Sequence, residues 1–181
     1  EYKSDFYSIN SVFGNDWAMF YALLGGRCCG KSYSALDWAI QRKRKKKDLM
    51  KLYWMRLTDA QADELLKNGG EGLIEGPLLR KYSMKLSRNG KKLYDNGEEF
   101  CEILSWSTFY TQKGVASYDY EFEQQKGSEY MFILDEFEKE ENERSQGDIL
   151  RQFTNAIHNK CRNAKNVKVL MIGITLSKRV T

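Results

Sequence analysis

The chain has 181 residues, 41% apolar and 13% aromatic, and its 29 basic and 25 acidic side chains leave a net charge of +4. That describes a folded domain with a single sizeable core rather than a disordered chain. No apolar run approaches the ~18 residues of a membrane span, and the mild basic excess is compatible with nucleic acid without demanding it.

Residues 1–17 are aromatic and polar with no clear period. Ala18 to Leu24 is an apolar run that predicts a first strand, and it feeds directly into Gly25-Gly26-Arg27-Cys28-Cys29-Gly30-Lys31-Ser32. A helix is expected from Lys31 to about Arg44, with Tyr33, Leu36, Ala39 and Ile40 on a helical spacing, closing in the basic run Arg42 to Lys47. Leu49 to Met55 reads as a second strand, followed by Arg56. Thr58 with Gln61 three residues on forms a capping box for a helix to about Lys67, stopped by Asn68-Gly69-Gly70.

The pattern then changes. Tyr82 to Arg88, Lys91 to Asp95 and Glu98 to Trp106 are strand-like and separated by Asn89-Gly90 and Asn96-Gly97. Asn-Gly between strand runs is a strong hairpin signal, so an antiparallel meander is expected at about 82–106, inserted into or flanking the core. Residues 107–128 read as loop with some helix. Tyr130 to Leu134 is a buried strand, Glu138 to Glu143 a solvated acidic stretch, Ile149 to Cys161 a helix and Val167 to Ile174 the last strand. The expected fold class is α/β, with a mostly parallel central sheet flanked by helices plus the meander, and no linker divides residues 1–181.

The first chemical signal is G-x-x-x-x-G-K-S between a strand and a helix, a phosphate-binding loop. Gly25 and Gly30 let the backbone curl so that successive N–H groups face phosphate, Lys31 supplies a charge for the β- and γ-phosphates, and the Ser32 hydroxyl suits Mg²⁺. The helix opening at Lys31 aims its positive end at the same anion. Expected nucleotide contacts are Gly25, Gly26, Arg27, Cys28, Cys29, Gly30, Lys31, Ser32 and Tyr33. In such a loop the backbone does the binding, so the Cys28 and Cys29 side chains read as packing. The cysteines, which include Cys101 and Cys161, show no C-x-x-C spacing, and His158 is the single histidine, so free thiols fit better than a zinc site.

The second signal is Tyr130-Met131-Phe132-Ile133-Leu134-Asp135-Glu136, a strand whose tip carries two carboxylates. Asp135 is assigned to Mg²⁺ and Glu136 to polarising an attacking water, and the strand is expected beside the first one. A glutamate there favours hydrolysis over transfer to a bound acceptor. Arg162, after the helix ending near Cys161, is either a cation that serves a neighbouring subunit's γ-phosphate or an ordinary helix C-terminal charge. Arg27 competes for the catalytic role. Arg56 and Lys113, at strand exits on the nucleotide side, are candidate nucleic-acid or subunit contacts. The basic run 42–47 lies at the far end of its helix, where cations are favoured without any nucleic acid. His158 reads as a surface residue. Asn159-Lys160-Cys161-Arg162 lacks the Asp of a guanine-reading motif, which disfavours GTP.

Taken together, Leu24-Gly25-Gly26-Arg27, Gly30-Lys31-Ser32-Tyr33, the Tyr53-to-Arg56 strand exit, the meander, the Phe132-to-Phe137 block with Asp135-Glu136, and the segments through Arg162 and Val167 to Ser177 resemble the DNA-packaging ATPases of small podophages, the phi-twenty-nine type. The resemblance covers most of the chain. It implies a P-loop NTPase of the additional-strand, catalytic-glutamate class that hydrolyses ATP with Mg²⁺. It further implies that residues 1–181 form the ATPase domain, with a C-terminal nucleic-acid-binding domain of the full-length protein lying outside this piece. Implied partners are double-stranded DNA, a homo-oligomeric ring (pentameric in the family), the portal of a procapsid and a packaging RNA. The implied location is the host cytoplasm at the portal vertex, with no membrane. Lys31, Glu136 and a trans-acting Arg162 would be catalytic. Ser32 and Asp135 would hold the metal. Ile174 stands where the family has a polar Asn that senses the γ-phosphate, so either Thr175 takes that role or the sensing is altered. Three other readings stay open on the residues alone: another ring ATPase such as a helicase or partition motor, a nucleotide-switched DNA-binding module, and a small-acceptor phosphotransferase.

Overall fold

The computed structural model describes residues 9, 12–13, 18–26, 28–111, 119–136, 149–161 and 164–174. Seven strands form one sheet: β1 (Phe20–Gly25), β2 (Met50–Arg56), β3 (Leu86–Asn89), β4 (Lys92–Asp95), β5 (Glu98–Ser105), β6 (Glu129–Asp135) and β7 (Val167–Ile174). Their order across the sheet is β1-β7-β6-β2-β5-β4-β3. The pairs β1·β7, β7·β6, β6·β2 and β2·β5 are parallel, and β5·β4 and β4·β3 are antiparallel. Among the described residues six α-helices flank it: α1 (Lys31–Lys46), α2 (Asp59–Leu65), α3 (Gly76–Tyr82), α4 (Trp106–Thr111), α5 (Tyr120–Gln124) and α6 (Ile149–Cys161). Among the described residues no helix is long and apolar enough to cross a membrane.

The central strands are continuous apolar runs because both faces are covered. Along β2, Leu52 and Trp54 point to one cluster with Leu36 and Ile40 of α1, Leu65 of α2 and Leu78 of α3. Tyr53 and Met55, on the opposite face, join Trp106 and Phe109 of α4, Phe122 of α5 and Phe153 and Ile157 of α6. β6 repeats this alternation, with Met131 and Ile133 on the first face and Tyr130, Phe132 and Leu134 on the second. Every residue of β6 is buried. In the leader, Ile9 joins the first cluster, and the Phe13 ring stacks on Trp38 of α1 at 4.0 Å.

Local signals explain most boundaries. The capping box is present in full: Gln61 N–H donates to Thr58 Oγ1 at 3.3 Å, and Thr58 N–H donates to Gln61 Oε1 at 3.2 Å. Asn96 and Gly97 both have positive φ, 53° and 87°, as a type I′ hairpin turn requires. The other hairpin turns on Gly90-Lys91, not Asn89-Gly90, because Asn89 still pairs with Lys92 in the ladder. The meander extends the core sheet, since β5 is at once its third strand and the parallel partner of β2.

Three expectations need correction. β1 and β6 are not neighbours, because β7 lies between them and pairs with both. Spacing along the chain does not encode sheet order, and the last strand, buried from Val167 to Gly173, takes an inner slot. The meander's first strand begins at Leu86, since Gly76–Tyr82 is helical with Pro77 in its first turn. Cys28 and Cys29 are exposed and therefore do not pack in the core. Cys101 and Cys161 are buried, and all four thiols are free. The acidic stretch Glu138–Glu143 lies outside the described residues.

Candidate functional site

The site lies where β1, β6 and β2 end and α1 begins. β1 finishes at Gly25, whose backbone is paired with Ile174 of β7. The chain then turns sharply, with Cys28 at φ 58° and Gly30 at φ 81°. Gly30 caps α1 in the left-handed region, where a Cβ would be strained. A Cβ on Gly26 would meet nothing within 4 Å, so Gly26 leaves open space above the loop. Within the loop, the Lys31 ammonium donates to Gly25 O at 2.8 Å and to Gly26 O, and lies 3.4 Å from Cys29 Sγ. Cys29 Sγ also donates to Gly26 O at 3.1 Å. Lys31 is 8% exposed, so its charge is concentrated inside the curl. Tyr33, one residue into the first turn past Ser32, is exposed.

Ser32 and Asp135 come from opposite halves of the sequence and meet here. Ser32 Oγ donates to Asp135 Oδ1 at 3.0 Å. The two hard oxygen donors match what Mg²⁺ accepts. Asp135 is 1% exposed. Burial raises its carboxyl above the usual aspartate range, and the Arg56 guanidinium and the Ser32 hydroxyl oppose that rise. Glu136, the next residue, leaves the strand at φ 54°, and its side chain is about half exposed, 53%. The strand end thus presents one buried and one accessible carboxylate.

Arg56, at the end of β2, joins the two. One terminal nitrogen lies 3.2 Å from Asp135 Oδ2, and the other pairs with Glu136 Oε2. Sequence reasoning left Arg56 as a nucleic-acid or subunit contact and missed this pairing. The available signal was weak: Arg56 and Asp135 each close a buried strand, and only the β2·β6 register, Met55 opposite Leu134, sets the two ends side by side.

Away from the loop, α1 is anchored by the basic run. Glu129, whose side chain is fully buried at the start of β6, accepts from Arg42 Nε at 2.6 Å and from Lys46 Nζ at 2.8 Å. Burial pushes its carboxyl up, but the hydrogen bonds from Arg42 and Lys46 outweigh that and hold it below the usual glutamate range. Lys43 donates to Lys47 O and Met50 O, and Arg44 pairs with Asp95 at 2.7 Å. The run is therefore used largely within the domain. His158 is exposed on α6. Arg27, Lys113, Arg162 and Thr175 lie outside the described residues, and so does the side chain of Ile174.

No family model matches the sequence, and no curated protein does. Solved structures do match. The bacteriophage Phi-29 viral genome packaging motor assembly aligns at TM-score 0.73 and 17% identity, covering 96% of this chain and 48% of that one. The Phi-28 DNA packaging motor aligns at TM-score 0.69 and 16% identity, covering 93% and 49%. The crystal structure of the N-terminal domain of the DNA packaging ATPase from bacteriophage phi29 aligns at TM-score 0.65 and 17% identity, covering 95% and 80%. The chain spans about half the length of the first two. It has the fold of a phage DNA-packaging ATPase N-terminal domain, a mostly parallel seven-stranded sheet between helices.

Proposed function

We propose that this chain is the ATP-hydrolysing domain of a motor that drives double-stranded viral DNA into a procapsid. The observation that carries the reading is the Ser32–Asp135 hydrogen bond at the head of α1, which joins the Gly-Lys-Ser loop to the acid pair. The fold shared with phage packaging motors supports the choice of motor over other nucleotide enzymes.

In this reading the loop backbone from Gly25 to Gly30 and the Lys31 ammonium hold the phosphates. Ser32 and Asp135 hold Mg²⁺, which when bound neutralises phosphate charge. Glu136, on the accessible side of the strand end, orients and deprotonates water. Arg56 fixes both carboxylates relative to each other. Arg162 acts on the site of a neighbouring subunit in a ring, a pentamer on the family pattern, and Thr175 senses the phosphate end. The ring would work at the portal vertex in the host cytoplasm, with packaging RNA and a further nucleic-acid-binding domain as its partners.

The test mixes full-length Glu136→Gln subunits with full-length Arg162→Ala subunits and assays ATP hydrolysis. Each alone is expected to be inactive, and the mixture to regain part of the activity, because a mixed interface pairs one intact Glu136 with one intact Arg162. If no mixing ratio exceeds the separate variants, the shared site is wrong.

A further inference from the structure

Cys28 and Cys29 are the loop residues whose side chains the proposed function leaves without a task. Both are exposed, and both are free thiols. They are not equivalent. Cys29 Sγ accepts from the Lys31 ammonium at 3.4 Å, donates to Gly26 O at 3.1 Å and lies 3.5 Å from where a Cβ on Gly25 would stand. The ammonium also donates to Gly25 O and Gly26 O, so the cation and the sulfur share one nook of the loop. Cys28 makes no such contact among the described residues.

Reactive cysteines occupy accessible, electropositive surroundings, and Cys29 has both. A fixed cation also draws oppositely charged reagents towards the atom beside it. A small disulfide that carries carboxylates is therefore directed to Cys29. Cys29, as thiolate, attacks one sulfur of that reagent. The reagent's S–S bond breaks, a new S–S bond to Cys29 forms, and the other half departs as a thiolate that takes up the proton Cys29 lost. Cys29 is oxidised and the departing half is reduced, so no further oxidant is needed. Cys28 does not expel the adduct by closing a disulfide onto its neighbour. The described peptides are all trans. Adjacent Cα atoms are then about 3.8 Å apart, and a relaxed disulfide spans about 4.4 Å or more. The adduct lasts until an outside thiol removes it.

We propose that Cys29 is a reversible thiolation site for small anionic disulfides, with oxidised glutathione as the probe, and that the adduct closes the phosphate loop. The adduct's carboxylates compete with phosphate for Lys31, and its bulk occupies the open space beside Gly26. The closure rests on the nucleotide reading given above, whereas the exchange at Cys29 does not.

The experiment treats the protein with oxidised glutathione or with cystamine, a cationic disulfide, at one pH and one concentration, and maps the adducts by peptide mass spectrometry. Oxidised glutathione is expected to modify Cys29 before Cys28, and roughly tenfold faster than cystamine does. Lys31→Gln should erase that preference for the anionic reagent. Calorimetry should show ATP affinity reduced roughly tenfold by the adduct and restored by dithiothreitol, with Cys29→Ser indifferent to the treatment. The exchange site is overturned if Cys28 reacts as fast as Cys29, if cystamine reacts as fast as oxidised glutathione, or if folded Lys31→Gln keeps the preference. The closure is overturned if the adduct leaves ATP affinity unchanged. Unmodified protein that takes up no ATP sinks the nucleotide reading instead, and the mapping still decides the exchange site. The first two arms use the unaltered protein, so misfolding of a variant cannot rescue the idea.

Discussion

Ser32 Oγ and Asp135 Oδ1 are 103 positions apart in the chain and 3.0 Å apart in space. This contact fastens the first turn of α1 to the last residue of β6. The opposite ends of both elements are fastened too, by Arg42 and Lys46 on Glu129. The helix that opens at the candidate phosphate loop and the strand that carries the candidate acids therefore form one braced unit.

Ser32→Ala should loosen the brace at the functional end. It removes a hydrogen bond to a carboxylate that is almost fully buried, and such a bond contributes roughly 1.5–3 kcal/mol. Urea denaturation without nucleotide is expected to show that loss, and calorimetry to show a drop in Mg²⁺-dependent ATP binding. Unchanged stability would mean that the bond is absent in solution.

At the other end, Glu129→Gln leaves Arg42 and Lys46 without their anion. Because Arg42 and Lys46 keep some access to water, the loss is that of charged hydrogen bonds, roughly 1.5–3 kcal/mol. The pH dependence follows from the lowered carboxyl. Its stabilisation is present above the ordinary value of 4.5 and is lost as pH falls from there through the lower folded-state value, because the unfolded chain takes up the proton first. Glu129→Gln should therefore be less stable at neutral pH and lose less further stability across that acid window. Parallel acid limbs for the two proteins, measured by denaturation at a series of pH values, would contradict this.

Arg56→Gln separates the acids from their shared cation. With that opposition gone, burial pushes the Asp135 carboxyl further up, and Glu136 loses its orienting partner. ATP turnover is expected to fall roughly 100-fold in single-turnover assays, with nucleotide affinity changed much less. A variant that hydrolyses normally but releases DNA would instead make Arg56 a nucleic-acid contact.

Two glycines should behave in opposite ways. A Cβ on Gly72 would lie 2.1 Å from the Glu64 carbonyl oxygen, a backbone atom that cannot yield cheaply. Gly72→Ala should shift the denaturation midpoint strongly or abolish folding. Gly26→Ala meets open space, so its stability should stay near that of the parent, while nucleotide binding weakens if the loop cradles phosphate.

Thiol counting offers an inexpensive check on the fold. Cys28 and Cys29 are exposed, whereas Cys101 and Cys161 are buried, and burial also pushes the Cys101 thiol up. Two thiols should react quickly with an aromatic disulfide reagent in the native state and four in denaturant. Rapid reaction of more than two would contradict the packing of β5 or α6.

Local chemistry in the sequence was enough for much of this protein. The Thr58/Gln61 box, the Asn96-Gly97 turn, the α6 span and the apolar runs of β6 and β7 were each legible because a cap, a turn or a hydrophobic period is set within a few residues. So were Lys31 and Ser32 as candidates, from the Gly-x-x-x-x-Gly-Lys-Ser spacing, and Asp135, which closes the apolar run of β6. α3 escaped notice because its seven residues are too few to show a clear period. Tertiary structure alone decided that β7 separates β1 from β6, that Arg56 bridges Asp135 and Glu136, and that Glu129 holds the basic run. These features depend on which strands hydrogen-bond and in which register. That choice is made by burial of whole faces against one another, and no short stretch of residues carries it.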